Sequence, residues 1–293
     1  MKTMLKKLYR LFLRFIPENR LGNNIVSFLN FIRVHRRRPA HKLLFNDVLY
    51  RIKTTDEIID PLRVFVSDKE FVKLYVKAVA GDQFNVPTIK ILHSIEEVKD
   101  YQFPSDCCIK PTHLSGKVML RRKNSPIDFE EIDRWFNRTY YHTTREANYK
   151  TLKHKVIVEP LVFDNDNLCD YKIFCNNGKP KLIQVDFDRY TDHTRKFFDP
   201  DWTEMPFSVL YPRSSHQLEK PKNLDKMLAV ASSLSGRFNF VRIDLYSNGE
   251  ECFVGEITNC PENATGFFIP KYAEIIASNM IFGKNLISSK AIT

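Results

Sequence analysis

The sequence predicts an α+β fold, with helices packed on mainly antiparallel sheets, and three observations carry that expectation. Phe238–Pro261 reads as two apolar strands, FVRIDLY and CFVGEIT, around Ser-Asn-Gly, a turn that takes positive φ at its Asn or Gly. A second hairpin signal, Asn-Asn-Gly, joins a strand over Asp170–Cys175 to one over Pro180–Asp186. Helical stripes over Ser67–Ala80 and Leu224–Ser235 each run into a glycine, Gly81 and Gly236, that stops them.

Composition bounds the function. The 293 residues are 43% hydrophobic and 27% charged, enough to build a sizeable core and unlike a disordered chain. The formal charge of +10 is uneven: residues 1–40 hold ten Lys or Arg and one acid, Glu18, which leaves the remainder at +1. The body therefore lacks a broad basic face, and nucleic acid is not an expected partner. Six cysteines without CxxC spacing read as reduced thiols of a cytoplasmic protein, with Cys107 and Cys108 as packing residues. No uncharged apolar run reaches the roughly 18 residues of a membrane span.

In chain order, Met1–Ile16 spaces apolar residues at 1, 4, 5, 8, 11, 12, 15 and 16 and cations at 2, 6, 7, 10 and 14, a helical stripe stopped by Pro17. Two readings stay open for it: contact with an anionic membrane surface, or docking on the body with the basic face solvated. The run VHRRRP at 34–39 suits phosphate or lipid, or a solvated connector. A helix and loop over His41–Leu62 lead to Ser67–Ala80, with Ser67 or Asp68 as N-cap and Phe71, Leu74, Tyr75 and Ala78 as the buried stripe. A short strand over Thr88–Leu92 follows, then a helix capped by Ser94. Cys107–Lys110 and the strand through Val118 and Leu120 flank Thr112–Gly116, a loop able to turn backbone N–H groups to phosphate beside Lys110. A helix around Asp133–Phe136 precedes the strand Lys155–Leu161, where Glu159 stands before Pro160 without an evident packing reason. Asp170 and Lys172 share a strand face, and His193, Arg195 and Lys196 read as a mobile polar loop. A final helix follows GFFIP.

The chemistry concentrates in the hairpin. Arg242 and Asp244 are two apart on one strand, Glu256 and Thr258 two apart on the other, so each pair shares a face and the turn can bring them together. Crowded carboxylates repel unless a cation lies between them, and hard oxygen ligands suit Mg²⁺. An exposed hairpin with a polar face is the competing reading.

The order DKEFVKLYV, CIKPTHLSG, KVIVEPL, DYKIFCNNGKPKLIQVD, FVRIDLY, GEIT resembles the ATP-grasp superfamily, and more closely the TupA-like (teichuronopeptide biosynthesis) family of bacterial surface-polysaccharide genes, over about Asn46 to Pro270. The resemblance implies an ATP-grasp fold with ATP held between two mainly antiparallel sheets. After a basic helical region at 1–45, it implies an amino-terminal part at 46–104, a central lid at 105–162 and a carboxy-terminal domain at 163–293. On this likeness Lys69 and Lys110 hold phosphates, and His113, Ser115 and Gly116 belong to the flap over the triphosphate. Glu159 and Leu161 form the adenine hinge. Asp170 and Lys172 contact ribose or phosphate, Lys172 and Arg242 serve catalysis, and Asp244, Glu256 and Thr258 carry Mg²⁺. The family often has Asn two residues after the metal Glu; here Thr258 stands there, with Asn259 beside it.

The implied reaction is ATP-dependent ligation of an amine or amino acid to a carboxylate, by analogy a uronic-acid carboxyl of a capsule or O-antigen sugar, in the cytoplasm or at the inner face of the membrane. A kinase or a glycosyltransferase-like enzyme of the same biosynthesis are the alternatives. A non-enzymatic adaptor working through residues 1–40 is the alternative of another class.

Overall fold

The computed structural model describes residues 8–9, 11–13, 15–40, 44–163, 169–188 and 191–283. Helices α1 (Arg20–His35), α2 (Phe45–Thr54), α3 (Pro61–Ser67) and α4 (Phe71–Val79) lead into a four-stranded antiparallel sheet. Its strands are β1 (Lys90–Leu92), β2 (Cys107–Pro111), β3 (Met119–Arg121) and β4 (Val156–Glu159), in the order β1-β4-β2-β3. Helices α5 (Ile95–Asp100) and α6 (Phe129–Phe136) pack on it through Val98, Ile132 and Trp135, and α7 (Tyr140–Thr144) follows. The larger sheet comprises β5 (Cys169–Asn176), β6 (Lys179–Phe187), β7 (Thr194–Phe198), β9 (Phe240–Ser247) and β10 (Cys252–Thr258), in the order β10-β9-β5-β6-β7. Strand β8 (Ser208–Val209) pairs with β11 (Phe268–Ile269); α8 (Leu224–Ser235) precedes β9, and α9 (Ala273–Phe282) ends the described chain.

Period-two alternation divides the larger sheet. Ile173, Ile183, Val185, Val241, Ile243 and Leu245 face one core, shared with α4 and α8. At one end of the opposite face Phe174, Leu182, Phe197 and Phe240 pack with α2 and α9. The rest of that face is polar, and the candidate site residues Asp170, Lys172, Arg242 and Asp244 lie there. The β5–β6 hairpin turns through Asn177 and Gly178, both at positive φ (48° and 75°), as Asn-Asn-Gly predicts.

Three expectations are corrected. The helix predicted over Ser67–Ala80 is α4, which starts only at Phe71; Ser67 ends α3, and the chain between them turns extended at Asp68 (φ −84°, ψ 126°). Buried Asp68 pairs with Lys155 at 3.2 Å and accepts from Thr112 Oγ1 at 3.3 Å and from the Glu70 N–H at 2.8 Å, so its partners hold it off the helix. The buried stripe of α4 is accordingly Val72 and Val76, while Leu74 is 57% exposed. His193–Lys196 is not a solvated loop: β7 buries Arg195 and Lys196, because Asp186 and Glu204 pair with them at 2.5 and 2.9 Å.

Helix α1 falls within the stretch 1–45 that the sequence reading expects to be helical, although that reading does not place this helix. Asn19 caps it, accepting the Gly22 N–H at 2.9 Å, and Arg36 ends it at φ 57°. Of the stripe over Met1–Ile16, Leu8, Tyr9 and 11–13 are helical, and residues 1–7, 10 and 14 lie outside the described residues. In VHRRRP, Arg37 pairs with Asp47 at 2.6 Å, while Arg36 and Arg38 are exposed. Cys107, Cys108, Cys175, Cys252 and Cys260 are buried free thiols. Among the described residues no helix is long and apolar enough to cross a membrane.

Candidate active site

Cross-strand register assembles the polar face. Glu256 stands opposite Asp244 and Thr258 opposite Arg242; Asp244 is in turn opposite Lys172, Tyr246 opposite Asp170, and Asp170 opposite Asp186. A β-bulge between Val254 and Glu256 sets this phase. Uninterrupted alternation would give Val254 and Glu256 one face; the extra residue, Gly255, lets Val254 enter the core while Glu256 enters the site. A Cβ at Gly255 would lie 2.9 Å from the Tyr246 ring, so the close approach requires glycine.

The charges on this face are tightly paired. Arg242 grips Asp244 with a two-pronged contact, Nε to Oδ1 and Nη2 to Oδ2, both 2.7 Å, and lies 3.2 Å from Thr258 Oγ1 and 3.7 Å from Glu256 Oε1. Thr258 Oγ1 donates to Glu256 Oε1 at 3.3 Å. Lys172 sits among three carboxylates, bonded to Asp170, 3.4 Å from Asp186 and 3.8 Å from Asp244. Burial works against its charge, but the carboxylates outweigh it and hold Lys172 above its ordinary pKa. Burial pushes Asp244 up to about 7, against the pull of Arg242 and Lys172. Asp186, bonded by Arg195 at 2.5 Å and Gln184 at 3.0 Å, sits well below the carboxylate range: burial would raise it, but the cations around it prevail.

The second wall comes from α4 and the smaller sheet. Glu159, buried at the end of β4, is bridged by Lys73 at 2.5 Å and Lys110 at 2.8 Å. Burial would raise its carboxyl, but the two lysines hold it below the usual range. Lys110 also lies 5.4 Å from the centre of the Tyr246 ring, a cation–π contact that joins the two sheets. Lys69 stands at the helix break, its N–H on the Thr112 carbonyl at 3.1 Å, its Nζ donating to the Leu114 carbonyl at 2.6 Å and reaching Glu256 at 3.9 Å. Burial pushes Lys69 below its ordinary value although Glu256 pulls the other way.

Lys69, Lys110, Glu159, Asp170, Lys172, Arg242, Asp244, Glu256 and Thr258 thus line one site between the sheets. Leu161 follows Glu159 and Pro160 as a half-buried residue outside the strand. Gly116 is exposed at the tip of the β2–β3 loop and Ser115 is half-buried beside it. His113 is turned the other way: Nε2 donates to the Trp135 and Arg138 carbonyls at 3.0 and 3.2 Å, and the ring stacks on His154 at 4.1 Å. Burial there pushes its pKa down to about 4. Asn259 is also held away, accepting from Arg63 at 2.9 Å and donating to Ser67 Oγ at 3.2 Å. Sequence reasoning missed Lys73 and Asp186. Lys73 follows Lys69 by one helical turn, and Asp186 ends a β-strand as Glu159 does; both signals are in the chain.

Asp244, Glu256 and Thr258 offer hard oxygen donors, and two facing carboxylates suit Mg²⁺, which takes one or two carboxylates together with substrate phosphates. Three lysines nearby, Lys69, Lys110 and Lys172, supply the positive charge a polyphosphate requires.

A family model described as TupA-like ATPgrasp matches residues 49–281. Among solved structures, a D-alanine–D-alanine ligase from Bacillus anthracis complexed with ATP is 14% identical at a TM-score of 0.39, covering 74% of this chain and 64% of its own. The chain therefore spans less than two thirds of that ligase. The D-cycloserine synthetase DcsG is 16% identical at a TM-score of 0.42, with 80% and 78% covered. The ATP-grasp ligase PsnB, complexed with minimal precursor, Mg and ADP, is 11% identical at 0.42, with 80% and 67% covered. No curated protein matches.

Proposed function

Because the chain belongs to the TupA-like ATPgrasp family, we propose that it is an ATP- and Mg²⁺-dependent ligase joining an amine to a carboxylate through an acyl phosphate. The observation that carries this reading is the convergence of Lys69, Lys110 and Lys172 with Arg242, Asp244 and Glu256 in one cleft between two sheets. A carboxylate oxygen of the acceptor attacks the γ-phosphorus of ATP, the bond to the β-phosphate oxygen breaks, and ADP leaves. The amine then attacks the acyl carbon, its C–O bond breaks, phosphate leaves, and the nitrogen loses a proton as the amide forms.

Phosphoryl transfer of this kind asks for alignment and charge neutralisation more than for a protein nucleophile. Lys69 and Lys110 hold the phosphates, and Glu159 with Leu161 forms the adenine wall. Asp170 holds the ribose. Lys172 and Arg242 balance the charge on the transferred group, each kept in place by a carboxylate. Mg²⁺ held by Asp244, Glu256 and Thr258 supplies further neutralisation of phosphate charge. The nucleophilic and acidic substrates are an amino acid or amine and the uronic-acid carboxyl of a bacterial surface polysaccharide.

Purified protein is incubated with Mg·ATP, uronate glycans and pooled amino acids, and products are weighed by mass spectrometry. The expected result is a glycan heavier by one amino acid less water, with stoichiometric ADP, lost in Asp244→Asn and Glu256→Gln. A glycan heavier by a phosphoryl group makes the protein a kinase, and full activity in both variants overturns the metal assignment.

A further inference from the structure

Helix α1 carries apolar side chains on both of its sides. Its side toward the body carries Gly22, Asn23, Val26, Ser27, Phe31 and His35. Polar bonds hold it there: Tyr141 donates to Asn23 Oδ1 at 2.9 Å, and His35 Nε2 to the Ala264 carbonyl at 3.0 Å. The outward line is apolar. Leu21, Ile25, Phe28 and Ile32 follow the i, i+4, i+7, i+11 spacing of one helix face, and the first three are 70%, 41% and 36% exposed. Just before α1, Leu8, Leu11, Phe12 and Phe15 are exposed as well.

An apolar surface of this extent, on a helix whose inner side is already satisfied, marks an interaction site. Its charge identifies the partner. Residues 1–40 carry ten cations and one acid. Arg33, Arg36 and Arg38 are exposed at the carboxy-terminal end of α1, with Arg36 one turn beyond Ile32. Two copies of so cationic a face repel each other. Acyl chains beneath anionic headgroups match both the apolar line and the arginines around it.

We propose that this face of α1, with the exposed residues before it, lies in the surface of an anionic membrane and carries the enzyme there. The proposal does not depend on which reaction the site performs. The full chain is co-sedimented with phosphatidylcholine vesicles, with and without a third of phosphatidylglycerol. Binding is expected to the anionic vesicles only, and to fall as salt rises. Replacing three half-buriable apolar side chains together, Leu21→Glu, Ile25→Glu and Phe28→Glu, lowers partitioning about tenfold or more. Arg36→Gln and Arg38→Gln each lower it by about fivefold. These positions are exposed, so an unchanged melting temperature confirms that the variants are folded. Absence of vesicle binding, or equal binding to neutral vesicles, overturns the proposal. So does a concentration-dependent dimer abolished by the three glutamates, which makes the face an interface between copies.

Discussion

Thr258 and Asn259 are neighbours with opposite assignments, and the difference is one of direction. Thr258 faces Glu256 and Arg242, whereas Asn259 ties Arg63 to Ser67 beneath the sheet. Thr258→Val therefore lowers turnover, by about tenfold for the loss of one charge-assisted hydrogen bond, with little change in stability. Asn259→Ala strips a partner from a buried guanidinium and costs about 2 to 3 kcal/mol of stability, more than it costs turnover. Denaturant unfolding and steady-state kinetics on both variants separate the two. His113 makes a pH prediction. Its folded pKa, about 4, lies below the ordinary 6.5, so between these values the unfolded chain binds a proton that the folded chain does not. Stability contributed by neutral His113 is thus complete above the unfolded pKa and falls as pH drops toward 4, by about 3 kcal/mol over the window. His113→Gln flattens that part of the pH–stability curve and leaves ATP affinity unchanged, as expected of a residue facing Trp135 and Arg138.

At the scale of elements, what was legible in the chain was what depends on local pattern. Both hairpins stand where Asn-Asn-Gly and Ser-Asn-Gly put them, and α8 runs over Leu224–Ser235 as its apolar spacing and Gly236 require. Arg242, Asp244, Glu256 and Thr258 could be read as one cluster because a two-residue period and a turn suffice to gather them. The elements that were missed answer to distant partners. The α3–α4 break depends on Lys155 and Thr112, which lie far along the chain from Asp68. Strand β7 looks like a solvated loop until Asp186 and Glu204 are placed beside Arg195 and Lys196. Helix α1 was not placed within the region expected to be helical because it buries Gly22, Asn23, Ser27 and His35 beside Val26 and Phe31 and exposes Leu21, Ile25 and Phe28, so no single apolar stripe announces it.

For the molecule as a whole, the site exists because two sheets share it, with Lys110 against Tyr246 at the seam and Lys69 reaching from the helix break to Glu256. That arrangement rests on the bulge that keeps Gly255 out of the ladder. The strand β10 behaves as a reading frame with two phases, and the bulge is the frameshift between them. Deleting Gly255 keeps Val254 opposite Leu245 and Glu256 opposite Asp244, whereas pairing residue 255 with Asp244 sends Glu256 toward the apolar core and Ile257 toward the cations. A buried, unpaired carboxylate costs several kcal/mol, on the order of the whole margin of a domain's stability. Gly255→Val, whose Cβ meets the Tyr246 ring in the bulge and whose other phase buries Glu256, should accordingly yield insoluble or unfolded chain, while Glu256→Gln stays folded with a melting temperature near that of the native protein. Soluble expression and circular dichroism of the two decide it, and a folded, ATP-binding Gly255→Val variant would show that the phase is set elsewhere.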